Sequence, residues 1–362
     1  MEDARRFLIL AAALTACAAK SDKAPTTTET AAVVVLKAES IDVSFPADDG
    51  LMLEGTLKLP ERVEGQAIPA VVLVHGSGPN SRDAPMAGQL NMGFGFEIDV
   101  FKELSKGLSS EGIAVLRYDK RSCFDANGCE NAYPIPADDL LVQDFADDAA
   151  TAIDFLSAHT DVNPTRVVVI GHSQGASFVP QLLVDRPQLA GGVMLAGGYQ
   201  PIDALVAFQY TSTVALLESL GTPPETIDAQ TAVLAEWVAD LEALRAGTFE
   251  DEQIGGVPTA FWEDWFRITD ATPIVAESVS QPMLALSGDY DWNVPPSETE
   301  AWAAQFEGSQ HEATVLPCIT HALNCVTQPE WTQIVPKNLG TEVDAAVVDS
   351  LATWIAGTVT AD

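Results

Sequence analysis

The hydrophobic pattern of the chain changes in character near residue 60. Residues 41–45 (IDVSF) and 51–60 (LMLEGTLKLP) alternate apolar and polar side chains on either side of a turn at 47–50. This alternation predicts an antiparallel hairpin with one solvated face. Further along, Val, Ile and Leu form uninterrupted apolar runs, which predict parallel strands covered on both faces. These runs lie at residues 70–74, 113–116, 167–170, 193–196, 283–286 and 313–316.

Helix-like stretches alternate with these apolar runs. They cover residues 99–110, 138–159, 175–186, 297–306 and 342–356. The alternation predicts an α/β fold with a mostly parallel central sheet flanked by helices. Residues 200–279 break the rhythm, because they contain amphipathic helical segments, an aromatic-rich FWEDWF and no convincing strand. We interpret them as a helical lid or cap inserted between two strands.

The first 17 residues have the layout of an export signal. Two arginines precede the apolar run FLILAAAL, which is too short to span a bilayer, and LTAC follows it. LTAC resembles the bacterial lipobox, whose cysteine, here Cys17, is lipidated after cleavage; an ordinary secretion signal is the alternative. We therefore expect a protein of the bacterial cell envelope, lipid-anchored at the periplasmic or outer-membrane face. The predicted organisation is a signal peptide (1–17), a flexible tether (18–38), a first core part (39–199), the lid (200–279) and a second core part (280–362).

The charge of the chain restricts its partners. Asp and Glu number 52 against 18 Lys and Arg, which gives a formal net charge of -34. Such a surface repels phosphates and anionic lipids, so we expect no nucleic-acid partner and membrane contact only through the lipid anchor. Solubility and a saline habitat both explain the acidity. The acidic insertion further predicts weak binding of strongly anionic substrates.

The stretch 167–177 (VVVIGHSQGAS) carries the strongest chemical signal. It places G-x-S-x-G between a buried strand and a helical pattern. Ser173 then lies at a sharp strand-to-helix turn that lifts its hydroxyl out of the sheet. Gly171 and Gly175 are expected because larger side chains would collide there.

With this motif the chain resembles the α/β-hydrolase fold superfamily from residue 39 onward. Its opening DGLMLEGTLKLP is similar to that of bacterial serine esterases related to dienelactone hydrolase and prolyl oligopeptidase. VVLVHGSGPNSRD resembles their oxyanion loop, and RYDKR resembles the end of their next strand. The resemblance implies that the backbone N–H groups of Ser77 and Gln174 stabilise the oxyanion. Ser122–Cys123 replace the family's usual glycine, which implies an altered loop near the site mouth.

The same resemblance implies where the acid and the base of a triad lie. The fold orders its triad Ser, acid, His, and residues 288–294 match the family form G-x-x-D-x-x-V. This match favours Asp291 as the acid, with Asp289 as the alternative. Among five histidines, His321 follows the last predicted strand, where the fold delivers its general base. We expect structural roles for His75, in the oxyanion motif, and His172, beside the nucleophile. His159 closes a predicted helix and His311 precedes the last strand.

Four cysteines follow Cys17, and two of them flank His321 in LPCITHALNC (316–325). A zinc site would occupy His321 and has no evident fourth ligand. Export permits disulfides, so we favour the local pairs Cys123–Cys129 and Cys318–Cys325. Pairing between the two loops stays open, because four cysteines allow three connectivities. The local pair would brace the loop around His321.

These residues predict a carboxylesterase that cleaves small-molecule esters through an acyl-enzyme intermediate. Ser173, His321 and Asp291 form the expected triad, and no metal or organic cofactor is needed. A serine peptidase or amidase of the prolyl-peptidase type is the alternative within the enzymes. A non-catalytic zinc or binding protein on a hydrolase scaffold is the alternative outside them.

Overall fold

The computed structural model describes residues 33–86, 98–123, 129, 139–326 and 340–360. The predicted signal peptide, Cys17 and the tether up to residue 32 lie outside the described residues. The described strands are β1 (Val35–Leu36), β2 (Glu39–Pro46), β3 (Met52–Leu59), β4 (Arg62–Val63), β5 (Ile68–Val74), β6 (Pro85–Met86), β7 (Ile98–Asp99), β8 (Ala114–Tyr118), β9 (Val162–His172), β10 (Gly191–Leu195), β11 (Gln253–Ile254), β12 (Val257–Pro258), β13 (Met283–Gly288) and β14 (Glu312–Leu316). The described α-helices are α1 (Val100–Ser110), α2 (Val142–Ser157), α3 (Val179–Asp185), α4 (Ile202–Ser219), α5 (Pro224–Arg245), α6 (Thr259–Ala276), α7 (Pro296–Gln305) and α8 (Ala345–Thr360).

Eight strands form the central sheet in the order β14-β13-β10-β9-β5-β8-β3-β2. Strands β2 and β3 form the predicted opening hairpin, and β3 also pairs antiparallel with β8. All other neighbours in this sheet are parallel. The predicted α/β fold with a mostly parallel sheet is therefore confirmed.

Successive side chains of the central strands enter two separate hydrophobic cores. Along β5, Val72 and Val74 belong to one core, whereas Val71 and Leu73 belong to the other. Side chains of a strand alternate between the two faces of a sheet, so each face is covered by helices. This burial on both faces explains the unbroken apolar runs in the sequence.

Three long helices lie between β10 and β13 along the chain, namely α4, α5 and α6. They correspond to the predicted helical insertion. Arg245 joins them, because its guanidinium binds both Asp203 and Asp270. The short antiparallel pair β11–β12 was not predicted, since two residues per strand give no periodic signal. Helix α6 contacts the core where the Thr272 hydroxyl donates to the Ser177 carbonyl at 3.0 Å.

Several helix starts differ from the predicted ones, and two of them have a clear local reason. The helix expected from residue 175 begins as a 3₁₀ turn at 173–178, and the α-helix follows at Val179. Pro180 fits this start, because a first-turn proline has no N–H that the helix would need to pair. The last helix begins at Ala345, where the Asp344 carboxylate accepts the Ala346 N–H at 2.9 Å. None of the described helices is long and apolar enough to cross a bilayer.

Candidate active site

The predicted functional residues lie at one edge of the sheet. Ser77 follows β5, Ser173 follows β9, Asp291 follows β13 and His321 follows β14. These strands run parallel in one sheet, so their carboxyl ends meet at the same edge, where ligands bind in open α/β sheets. A cavity of about 760 Å³ opens there, and Ser77, Ser173, Gln174 and His321 line it.

Ser173 occupies the sharp turn predicted from G-x-S-x-G. Its φ is 54°, a left-handed conformation that is costly for a residue with a side chain. A Cβ on Gly171 would collide with the Gly175 carbonyl, and a Cβ on Gly175 would approach the Val74 carbonyl to 2.5 Å. Close packing of strand, turn and following helix therefore requires glycine at both positions. The turn is held in a strained geometry that presents Ser173 to the cavity.

His321 and Asp291 form a buried hydrogen-bonded pair. The His321 Nδ1–H donates to Asp291 Oδ2 at 2.8 Å, and both residues are less than 5% exposed. The other carboxylate oxygen accepts the N–H groups of Asn293 and Val294 at 2.9 and 2.8 Å. The carboxylate is thus fixed by three hydrogen bonds, and it fixes the imidazole ring. With Nδ1 engaged, Nε2 is the nitrogen that remains for proton transfer.

Asp289, the alternative acid, has a different partner. Its exposed carboxylate accepts the Cys318 N–H at 2.6 Å. Asp289 therefore holds the loop that carries His321, whereas Asp291 holds the imidazole itself.

His75 and His172 are buried neighbours of this pair. Burial lowers the pKa of His75 to about 4, and burial together with His321 lowers the pKa of His172 to about 3. Both rings are therefore neutral at neutral pH. His75 Nε2–H donates to the Tyr118 carbonyl at 2.5 Å, and His172 Nε2–H donates to the His321 carbonyl at 3.0 Å. Because a carbonyl only accepts, these contacts assign the proton of each ring to Nε2.

The two remaining histidines are engaged with the backbone elsewhere. His159 Nδ1 accepts the Asp161 N–H, and His311 Nδ1 accepts the Met283 N–H, both at 3.2 Å. Neither is among the cavity-lining residues that the structure describes.

The loop after β5 lies against the serine turn. A Cβ on Gly76 would come within 3.1 Å of the Ser173 Cβ. The Asn80 side chain holds this loop, since its amide N–H donates to the carbonyls of Gly76, Ser77 and Gly78 at 2.9 to 3.3 Å. On the other side, Gln174 occupies the first turn of the helix after Ser173, where backbone N–H groups lack intrahelical partners. The structure thus brings Ser77 and Gln174 to the same cavity as Ser173.

The cysteines pair locally. Cys123 bonds to Cys129 and Cys318 to Cys325, with Cα–Cα distances of 6.1 and 4.9 Å. The second disulfide closes the tight turn that carries the buried His321, in which the Val326 N–H donates to the Cys318 carbonyl. Its two sulfurs are bonded to each other, so they do not provide the thiolates that a zinc site would use.

The cavity has two walls of different chemistry. We call Ser77, Lys120, Ser173, Gln174 and His321 the polar wall. The apolar wall comes from the helical insertion and comprises Leu205, Val206, Trp237, Phe261, Trp262 and Trp265. Within the apolar wall the aromatic rings pack at centroid distances of 5.5 to 6.3 Å.

The described lining of the cavity contains no carboxylate, whereas it includes the cations Lys120 and Arg121. Acidic side chains of the insertion, for example Glu225, Glu236 and Glu263, are instead exposed. We expected weak binding of anionic substrates because the insertion is acidic. The acidic side chains named above do not line the cavity, so they give that expectation no support at the site.

Two contributors to the site were missed in the sequence. The Glu298 carboxylate accepts the N–H groups of Tyr199 and Gln200 at 2.8 and 2.7 Å, which fixes the loop after β10. No motif marked this glutamate among the many acidic residues. Lys120 is buried in the polar wall. A lysine directly after a buried strand, in RYDKR, was the available signal.

Comparisons with known proteins agree with this architecture. The sheet order, the helical insertion and the serine turn define an α/β hydrolase. The family model described as "Serine aminopeptidase, S33" matches residues 89–325, and the chain belongs to this family.

Several proteins to which the chain is similar are described as hydrolases. Esterase EstD from Thermotoga maritima is 29% identical over 304 residues, which are 84% of this chain and 65% of that esterase. The chain therefore spans just under two thirds of this relative's length. The α/β hydrolase GrgF from Penicillium sp. sh18 has a TM-score of 0.53 and 15% identity over 89% of this chain and 100% of its own. A puromycin hydrolase has a TM-score of 0.52 and 17% identity over 90% of this chain and 40% of its own. At these identities the two structures show a shared fold.

Proposed function

We propose that this protein is a serine carboxylesterase that cleaves small-molecule esters through an acyl-enzyme intermediate. The observation that carries the proposal is the strained Ser173 in one cavity with His321, whose imidazole is held by the buried Asp291. The likeness to a curated esterase supports the same chemistry.

The geometry of the polar wall suggests the following reaction. His321 Nε2 takes the proton of the Ser173 hydroxyl while the Oγ attacks the ester carbonyl. The carbonyl oxygen becomes an oxyanion, and the N–H groups of Ser77 and Gln174 donate to it. His321 returns the proton to the departing alcohol, which leaves an acyl group on Ser173. His321 then deprotonates a water molecule that attacks the acyl carbon; the bond to Ser173 Oγ breaks, His321 returns the proton to Oγ, and the carboxylic acid is released. Asp291 stabilises the imidazolium that forms in each half of the reaction.

The family name raises an aminopeptidase as the second candidate. An aminopeptidase must bind the free α-ammonium group of its substrate, and a desolvated ammonium requires an anionic or strongly accepting partner. Within the described residues, the cavity lining offers no carboxylate and contains two cations. This composition favours substrates without a free ammonium group, as in simple esters.

Labelling with a fluorophosphonate probe tests the proposal. We expect the parent protein to be labelled and Ser173→Ala to remain unlabelled and inactive. Ser177→Ala is the matched control, because this serine also lines the cavity and lies one helical turn away; it should label normally. Absence of labelling in the parent would overturn the serine-hydrolase proposal. Faster turnover of aminoacyl anilides than of neutral p-nitrophenyl esters would favour the aminopeptidase.

We also propose that the protein is exported and anchored through lipidated Cys17, a residue outside the described ones. The arginine-flanked apolar run and the LTAC sequence support this. Cys17→Ser is expected to move the protein from the membrane fraction to the soluble fraction after expression of the full chain. An unchanged distribution would contradict lipid anchoring and leave the catalytic proposal untouched.

A further inference from the structure

The side chain of Lys120 lies buried in the polar wall, where the proposed reaction assigns it no step. Its Nζ donates to the Gly76 carbonyl at 2.7 Å and to Gln174 Oε1 at 2.9 Å. A third side of the ammonium group faces the Phe145 ring, with 4.0 Å between Nζ and the ring centroid. The three directions of the ammonium group are therefore all occupied, and only 3% of the residue is exposed.

We propose that Lys120 is a positioning residue for the oxyanion hole: its ammonium group orients and polarises the peptide that carries the Ser77 N–H, and it holds Gln174. This inference rests on the proposed function, in which Ser77 and Gln174 supply the two oxyanion donors.

The covalent structure of the peptide bond connects Lys120 to the first donor. The Gly76 carbonyl and the Ser77 N–H belong to the same planar peptide group, so a hydrogen bond to the oxygen fixes the direction of the N–H. A cationic donor also draws electron density toward the carbonyl oxygen, and hydrogen bonds in such a chain strengthen one another. The Ser77 N–H thereby becomes a better donor to a developing negative charge.

The second contact connects Lys120 to the other donor residue. Because an ammonium group only donates, the Gln174 atom that faces it must be the amide oxygen. The contact anchors the Gln174 side chain, whose own backbone N–H is the second proposed oxyanion donor. The two proposed donors lie in segments that follow different strands, β5 and β9. The Lys120 side chain bonds both segments and thereby fixes the position of one donor relative to the other.

The energetic cost of this arrangement argues against a purely structural role. No carboxylate bonds the Lys120 ammonium among the described residues, because the nearby Asp148 is engaged by Arg121 at 2.5 and 2.8 Å. Burial lowers the pKa of Lys120 to about 7, partly opposed by the charge of Asp148, so the ammonium form is populated at and below neutral pH. A methionine or leucine would fill this space without the desolvation cost of a cation. A positive charge beside the oxyanion donors is the property that only the lysine supplies.

Lys120→Met tests the inference by separating turnover from binding. We expect kcat for a neutral p-nitrophenyl ester to fall by about 10- to 100-fold, below the loss caused by removing an oxyanion donor outright. The KM should stay within about twofold, because the contact matters in the transition state. Affinity for a trifluoromethyl ketone, which forms a tetrahedral oxyanion on the serine, should fall by the same factor as kcat.

Two further variants keep the test decisive. Lys102→Met removes a positive charge from an exposed position on α1 and should leave kcat unchanged. Lys120→Gln removes the buried charge and keeps a donor, so it provides the measurement if Lys120→Met does not fold, and we expect a smaller loss of kcat. A melting temperature near that of the parent must accompany either loss.

An unchanged kcat, or a loss confined to KM, would overturn the positioning role. If the parent shows no Ser173-dependent turnover, the proposed function itself fails. Ser173-dependent turnover that is equal in the parent and Lys120→Met refutes this inference alone.

Discussion

The two walls of the cavity are built by different physical rules. In the polar wall, specific hydrogen bonds of 2.7 to 3.0 Å hold Lys120, His321 and the residues beside them. In the apolar wall, contacts between aromatic rings such as Trp262 and Trp265 predominate, and the Trp262 Nε1–H also donates to the Ile254 carbonyl at 3.3 Å. A hydrogen bond weakens when the donor–acceptor distance exceeds its optimum by a few tenths of an ångström, whereas packed rings can rearrange with little loss of contact. We therefore expect substitutions in the polar wall to change kcat, and substitutions in the apolar wall to change which substrates bind.

The largest expected effect on turnover concerns Asp291, the proposed triad acid, whose carboxylate holds His321. Asp291→Asn should lower kcat/KM by roughly 10³- to 10⁴-fold at neutral pH, because an amide neither fixes the Nδ1–H tautomer nor stabilises the imidazolium. The KM should change little. Steady-state kinetics on a neutral ester measure both parameters.

Asp289→Asn is the matched control for this prediction. It makes the same chemical change two residues away, where the carboxylate bonds the Cys318 N–H. We expect a loss below tenfold. Equal losses of kcat/KM in the two variants would contradict the different roles of the two carboxylates, in which Asp291 orients the imidazole and Asp289 only holds the loop.

A smaller effect is expected from the disulfide around His321. Replacing Cys318 and Cys325 with serine should lower kcat by about tenfold and destabilise the protein by about 2–3 kcal/mol, the chain-entropy contribution of so short a loop. Mild reduction should act in the same direction without releasing a metal. Thermal unfolding and ester turnover report the two quantities separately.

The other disulfide provides an internal control of the same size. Cys123 and Cys129 are six residues apart and Cys318 and Cys325 seven, so the two loops contribute nearly the same entropy. Serine at 123 and 129 should give a similar loss of stability with a smaller loss of kcat. Unchanged turnover and unchanged stability after reduction of the parent would disprove the brace.

The smallest effect on rate is expected in the apolar wall. Phe261→Ala should leave kcat within about threefold and shift selectivity toward longer acyl chains, because the lost ring enlarges the cavity. Val233→Ala, at a 62% exposed position of the same insertion, should leave chain-length preference unchanged. A loss of kcat at constant selectivity in Phe261→Ala would contradict the division between the walls.

Features encoded in local sequence patterns could be predicted from the sequence. The central strands were predictable because unbroken apolar runs are typical of strands buried on both faces. The G-x-S-x-G turn was predictable because its two glycines fit a tight turn between a strand and a helix. His321 and Asp291 were predictable from strand order, and the structure brings them into contact. The motif G-x-x-D-x-x-V favoured Asp291 over Asp289, and in the structure Asp291 bonds the His321 imidazole whereas Asp289 bonds the Cys318 N–H.

Features that depend on contacts between distant segments could not be predicted in this way. Lys120 and Gly76 are 44 residues apart, and local sequence carries no record of their hydrogen bond. Glu298 resembled any other acidic residue on a helix. The aromatic residues of the insertion were visible, but their position in the cavity depends on how α5 and α6 pack.

The hydrogen bond between His172 and the His321 carbonyl has a consequence for tolerance to distortion. Ser173 and His321 follow β9 and β14, which are separated by three strand spacings, about 14 Å of sheet. If the sheet alone set their separation, every small change in twist would accumulate over that span. His172, the neighbour of the proposed nucleophile Ser173, instead donates directly to the backbone carbonyl of the proposed base His321 at 3.0 Å. Flexing of the sheet thus moves both residues together, and their mutual alignment is protected from it.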